Sequence, residues 1–221
     1  MGAPRRTDVY LEVGAKKTFA CSVDWPGWCR SGRDEDAALQ ALVDYAPRYA
    51  AVAEQAGQRF PATAGRHLEV VERVTGNATT DFGAPGVVPA LDAAALTAAR
   101  ARKMAELVDA AWAVLDDVAS RAPESLRKGP RGGGRDRDKM LQHVLGAETA
   151  YARKIGVRHQ EPQIGDRAAV AALRDEIGEV LRAARRAPSP DAKGWPAPYA
   201  ARRIAWHVLD HAWEIEDRSE A

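Results

Sequence analysis

The sequence predicts an α+β protein in two parts: a small β-hairpin and helix module over residues 1–88, then an antiparallel four-helix bundle over residues 89–221. Three observations carry this. Near the start, β-branched and aromatic residues partly alternate in two short runs separated by a turn. Glycine and proline gather at Gly83-Ala84-Pro85-Gly86 and Pro89, where the pattern changes. Beyond Leu91, apolar residues recur at spacings of three and four through four long segments.

Val9 to Val13 and Thr18 to Val23 read as the strands of a hairpin joined by Gly14-Ala15-Lys16-Lys17, and Trp25-Pro26-Gly27-Trp28 breaks the second strand. Asp34 is placed to cap a helix through Leu39 and Val43 that stops near Pro47; a second Ala-rich stretch runs to Gln55. Residues 66–75, with Val70, Val71 and Val74, suit one more strand. In the second part, Asp92 is expected to cap a helix carrying Met104, Leu107, Val108, Leu115 and Val118 that ends before Pro123. Asp138 is expected to cap the next, through Met140, His143, Val144 and Tyr151, with Gly156 at its end. Asp166 opens a third with Leu173, Ile177 and Leu181. Pro198 marks the start of a fourth, whose inward stripe holds Ile204, His207, Val208, His211 and Ile215. Amphipathic helices of these lengths need one another to bury their apolar faces, so a bundle is the economical arrangement.

The 32 basic residues nearly balance the 31 acidic ones, so net charge does not favour a polyanion partner and nucleic-acid binding is not expected. No uninterrupted apolar run approaches 18 residues. The opening Met1-Gly2-Ala3-Pro4-Arg5-Arg6 leads into charged sequence rather than an apolar signal region, so a cytoplasmic protein without a membrane partner is expected. Cys21 and Cys29 are the only cysteines, too few for a secreted disulfide framework, and both are expected to be reduced and to pack in a strand or turn.

The chemistry concentrates on histidine. His207 and His211 stand four residues apart on a strongly helical segment, a spacing that turns about 400° and rises about 6 Å, so both imidazoles leave one face. His143 lies on the apolar face of another helix. In a bundle such faces converge, and three neutral imidazoles make a platform for zinc, nickel, iron or manganese that leaves positions for water or a small-molecule substrate. Any one of these histidines by itself is more often a hydrogen-bonded core or boundary residue; the joint spacing is what points to a metal. Asp210 and Glu214 are candidates to orient imidazole N–H groups, with salt bridges to nearby arginines as the plainer alternative.

The run from Leu126 to Lys139 carries Arg127, Lys128, Arg131, Arg135 and Arg137 among four glycines and leads into the helix of His143. Glycines permit close backbone approach and a helix start attracts anions, so Arg127, Arg131 and Arg135 are candidate anion-binding residues; a solvated connection is the alternative. Trp195 and Tyr199 precede the histidine-bearing helix, where they can line a pocket mouth.

Residues 90 to 218 resemble the DinB/YfiT-like superfamily. The resemblance rests on Gln142-His143-Val144, on its continuation from Ala147 and Glu148 to Gly156, and on His207-Val208-Leu209-Asp210-His211. It implies a divalent ion held by His143, His207 and His211, and transfer or isomerisation chemistry using a low-molecular-weight thiol such as mycothiol, bacillithiol or glutathione. Residues 8 to 55 resemble HicB-like proteins through the hairpin, the Trp25-Pro26-Gly27 break, Arg30-Ser31-Gly32 and the helix opening at Asp34. HicB proteins bind a toxin partner, and such a module serves as a lid over the bundle, a homodimer interface or a partner-binding surface. The alternative to an enzyme is therefore a non-catalytic binding or regulatory protein that uses the bundle as a scaffold.

Overall fold

The computed structural model describes residues 6–129, 134–185 and 193–219. The protein is mixed α+β, with a four-stranded sheet at the N-terminal end and helices after it. Strands β1 (Thr7–Val13), β2 (Thr18–Ser22) and β3 (Cys29–Gly32) are antiparallel neighbours, and β4 (Leu68–Thr75) adds to β1 in parallel, giving the order β3-β2-β1-β4. Two helices, α1 (Glu35–Asp44) and α2 (Ala46–Gln55), carry the chain from β3 towards β4. Asp34 caps α1 by accepting from the Ala37 amide, and Pro47 opens α2 rather than only ending α1, because a first-turn proline gives up an amide that has no helical partner.

The third strand was not anticipated. Cys29-Arg30-Ser31-Gly32 has neither alternation nor β-branched residues, and its pairing is imposed by the turn before it. The Tyr49 hydroxyl donates to the Pro26 carbonyl and the Trp28 indole to the Leu42 carbonyl, pinning residues 25–28 to α1 and α2. Trp25, Trp28, Tyr49 and Phe60 pack edge-on and stacked around them. The cysteines occupy directly paired positions on β2 and β3, both free and buried, with their sulfurs 2.8 Å apart.

A short helix α3 (Ala78–Phe82), also missed, begins the passage to the second part. Its capping box at Asn77 and Thr80 is joined by the buried carboxylate of Glu12, which accepts from the Thr80 hydroxyl and from the amides of Gly86 and Val87.

Four long helices follow: α4 (Ala98–Arg121), α5 (Arg137–Lys154), α6 (Arg167–Ala183) and α7 (Ala197–Ser219). Helix α4 packs on α6 and α7, and α5 packs on the same two. Two of the expected caps differ. Thr97, not Asp92, accepts from the first turn of α4; Asp92 sits in a 3-10 turn, where its buried carboxylate meets Arg202 of α7. Asp136, not Asp138, precedes α5, and Asp138 stands in its first turn beside Arg137. Asp166 caps α6 through the Ala169 amide as expected.

Helix α7 is the pivot of the molecule. Every residue from Pro198 to Leu209 is buried, because bundle helices cover one side and the sheet module covers the other. Phe19 of β2 meets Trp206 edge-on, Tyr45 packs on Trp213, and Arg30 of β3 pairs with Asp210. One hydrophobic core accordingly runs from Val9 and Leu11 of the sheet to Leu173 and Ile177 of the bundle. Among the described residues, no helix is long and apolar enough to cross a membrane.

Candidate metal centre

His207 and His211 lie one turn apart on α7, and their rings are 4.6 Å apart between centroids. Helix α5 packs against α7 and brings His143 to 5.2 Å from His207 and 5.0 Å from His211. One nitrogen of each ring lies within 4.8 Å of the other two. Nitrogens about 2.1 Å from a common tetrahedral ion stand about 3.4 Å apart, so small side-chain rotations close the set around one ion.

The chemistry of the donors fits an ion. His207 is buried, yet its Nδ1 has no hydrogen-bond partner among the described residues. A buried ring nitrogen is normally satisfied by protein or water, and an ion facing it would meet the same need. Burial holds the His207 pKa well below its usual value, with His211, Arg203, His143 and Arg135 pushing in the same direction. Burial, then Arg135 and His211, lowers that of His143 as well. Both rings are therefore held as neutral imidazoles, the form in which histidine offers a lone pair to a metal.

Glu214 stands one turn beyond His211, with its Oε2 3.2 Å from His211 Nδ1. A proton on Nδ1 shared with this carboxylate leaves the Nε2 lone pair for an ion. Its other oxygen accepts from Arg218, and the hydrogen bond to His211 leads the interactions that hold its pKa below the usual carboxylate range. Asp210 turns elsewhere, to Arg30, and touches no imidazole.

The arginines of the loop divide. Arg135 is exposed, but its charge reaches His143 and His207, so it belongs to the surroundings of the site. Arg127 directs its guanidinium to the Asp217 carbonyl near the end of α7, while Arg218 holds the carbonyls of Arg127 and Arg135. Arg131 lies outside the described residues. His67 is exposed and His159 pairs with Glu176, both apart from the cluster.

Two residues stand beside the site in roles the sequence did not suggest, Tyr151 and Arg203, the latter expected instead as a salt-bridge partner of Asp210 or Glu214. The Tyr151 ring is 5.7 Å from that of His207, and Arg203 stacks over Tyr151 at 4.9 Å and over Trp206 at 4.7 Å. The signal was present: Arg203 is four residues before His207, extending the 207/211 row by one turn, and Tyr151 is eight after His143. Trp195 and Tyr199 continue this aromatic lining, with Trp195 5.2 Å from Tyr151 and 4.9 Å from Tyr199.

Comparisons with protein-family models, with curated proteins and with solved structures gave no match to this chain. Its functional reading therefore stands on the site itself: three close imidazoles that can bind a divalent ion, a carboxylate that orients one of them, and an aromatic wall carrying a buried cation.

Proposed function

We propose that the chain is a divalent-metal-dependent enzyme of the DinB/YfiT type, in which His143, His207 and His211 hold the ion and a small-molecule substrate reaches its open side. The observation that carries this reading is the triangle of imidazoles drawn from two helices, in which one nitrogen of each ring lies within 4.8 Å of the other two. An ion held there supplies Lewis acidity, and it lowers the pKa of a thiol or water that approaches it. The chain's own residues do the rest. Glu214 sets the tautomer of His211, and Trp206 and Tyr151 pack beside His207.

The reaction class we favour is transfer or isomerisation with a low-molecular-weight thiol of the mycothiol kind, whose sulfur gives up its proton and bonds to an electrophilic carbon while the electron pair of the bond broken at that carbon goes to the departing or neighbouring atom, which takes up a proton. The His143 and His207/His211 motifs support it through their resemblance to DinB/YfiT-like proteins. The cationic side of the site, with Arg135 and Arg203 near the histidines, suits a thiolate, which carries negative charge. Elemental analysis of untagged protein tests the metal: about one zinc, nickel, iron or manganese per chain is expected, and almost none after all three histidines become alanine. A stoichiometric ion surviving in the triple variant would overturn the assignment. A screen of electrophiles with and without added thiols then tests the reaction class, which fails if turnover is indifferent to every thiol offered.

A further inference from the structure

Arginine is rarely buried without a carboxylate, because removing a guanidinium from water costs several kcal/mol unless a counter-charge compensates. Helix α7 offers a direct comparison. Arg202 pairs with Asp92, and Arg218 pairs with Glu214. Arg203, only 8 % exposed, has no ion pair among the described residues, and its Nη1 has no hydrogen-bond partner. What surrounds it is aromatic: the rings of Tyr151 and Trp206, with a side-chain hydrogen bond to Tyr151, which is neutral and brings no counter-charge. Such stacking holds a guanidinium flat and supplies some cation–π attraction, but it does not neutralise the charge.

The position is informative. Arg203, His207 and His211 succeed one another at four-residue intervals, so they form one row along α7, with about 6 Å of rise between neighbours. Arg203 and His207 also share a neighbour in Tyr151. On the other side, Arg203 borders a cavity of about 10 Å³ whose lining includes Ser22 and Arg202. That space admits a single water, which can accept from an N–H but brings no negative charge.

We propose that Arg203 is the anion receptor of the three-histidine site, binding the carboxylate or phosphate of a small substrate whose reacting group lies about one helical turn (~6 Å) away at the ion. This rests on the metal reading above and narrows its substrate class to small oxyanion-bearing molecules. The guanidinium is held against two rings with its Nη1 unpartnered among the described residues, and a planar fork of N–H donors is what arginine uses to recognise carboxylates and phosphates.

The test uses full-length protein loaded with Co2+ and titrated separately with acetate and with phosphate. Binding is followed by the visible cobalt spectrum and by thermal denaturation, in wild type and in Arg203→Met and Arg203→Lys. One or both anions should perturb the spectrum and raise the melting temperature of wild type. Arg203→Met should keep its cobalt and melt no lower than wild type without anion, since an uncompensated buried charge has been removed. Its affinity for the anion should fall at least about ten-fold, with partial recovery in Arg203→Lys. The stronger of acetate and phosphate tells which oxyanion the site takes. Full cobalt loading with no anion response, or with equal affinity in Arg203→Met, overturns the anion receptor and leaves the metal centre intact. Failure of wild type to take up cobalt brings down the metal reading and this inference together. A markedly lower melting point for Arg203→Met, with anion affinity unchanged, would make Arg203 a packing residue only.

Discussion

The rings of His143 and His211 meet edge to face, 5.0 Å apart and 83° between planes, although they arise from different helices. Two imidazoles so placed repel when both are charged, and burial adds to the preference for the neutral form at His143. At His143 and His207 burial favours a lone pair over a charge, and an added cation should be taken up readily.

That uptake should stabilise the fold. With free zinc or cobalt at a hundred times its dissociation constant, the native state gains about 2.7 kcal/mol. For a chain of this size this is a rise of roughly 5–10 °C in melting temperature. Differential scanning calorimetry with and without the ion checks it, and His211→Ala should show no such rise.

Glu214 and Asp210 should separate cleanly. Glu214→Gln removes the charge beside His211 Nδ1, and metal affinity should weaken by about 10- to 100-fold with the fold retained. Asp210→Asn should leave metal affinity within a factor of two or so, since its carboxylate serves Arg30. Competition against a chromogenic chelator measures both; equal losses in the two variants would show that His211 is not oriented by Glu214.

Glu148 supplies a stability test with a definite pH sign. Its buried carboxylate accepts from the Trp112 indole and lies 3.5 Å from Arg174. Burial raises its pKa above the ordinary value, outweighing Arg174 and Trp112. The folded state thus holds the proton more tightly than the unfolded chain. The stability this contributes is fully present below the unfolded carboxyl pKa of about 4.3 and is lost as pH rises through the higher folded value. Glu148→Gln, which cannot ionise, should gain on wild type in melting temperature between about pH 4 and pH 7. Glu148→Ala, by contrast, strands the buried Trp112 indole and leaves Arg174 with Asp116, and should cost about 1–3 kcal/mol. Melting curves across pH decide the first point, and denaturant unfolding decides the second.

Gly27 connects the strand module to the metal helix. It adopts φ +92°, and a Cβ there would stand 2.6 Å from Leu209 Cδ1 and 3.2 Å from Ala205 Cβ. Gly27→Ala should therefore destabilise by about 1–3 kcal/mol, through backbone strain and overpacking. Because the contact falls on α7 between Arg203 and His211, metal affinity should drop too. Unchanged affinity in a destabilised variant would mean that the turn supports the fold alone.

The site was legible where its chemistry is local to a helix. His207 and His211 announce themselves by spacing, and His143 by standing among Met140, Val144 and Ala147. Sequence offers Arg202, Arg203 and Arg218 alike as partners for Asp210 or Glu214; Arg218 does pair with Glu214, but α7 is covered on both sides, so Arg202 is buried against Asp92 and Arg203 against aromatic rings. The same double coverage explains Asp92. A helix cap and the partner of a buried arginine look alike in sequence, and only the packing of the 3-10 turn on α7 distinguishes them. Strand β4 showed in its valines, but β3 owes its form to the neighbour it pairs with and to the aromatic turn before it.

A rod enclosed on all sides has nowhere to roll. From Pro198 to Leu209, α7 is wedged between the sheet and its companion helices, so Phe19 and Gly27 behind it set how far His207 projects towards His143. The grip on an ion can then be tuned from the back of the helix, by a methyl group added at a turn residue, Gly27, that never touches the cation.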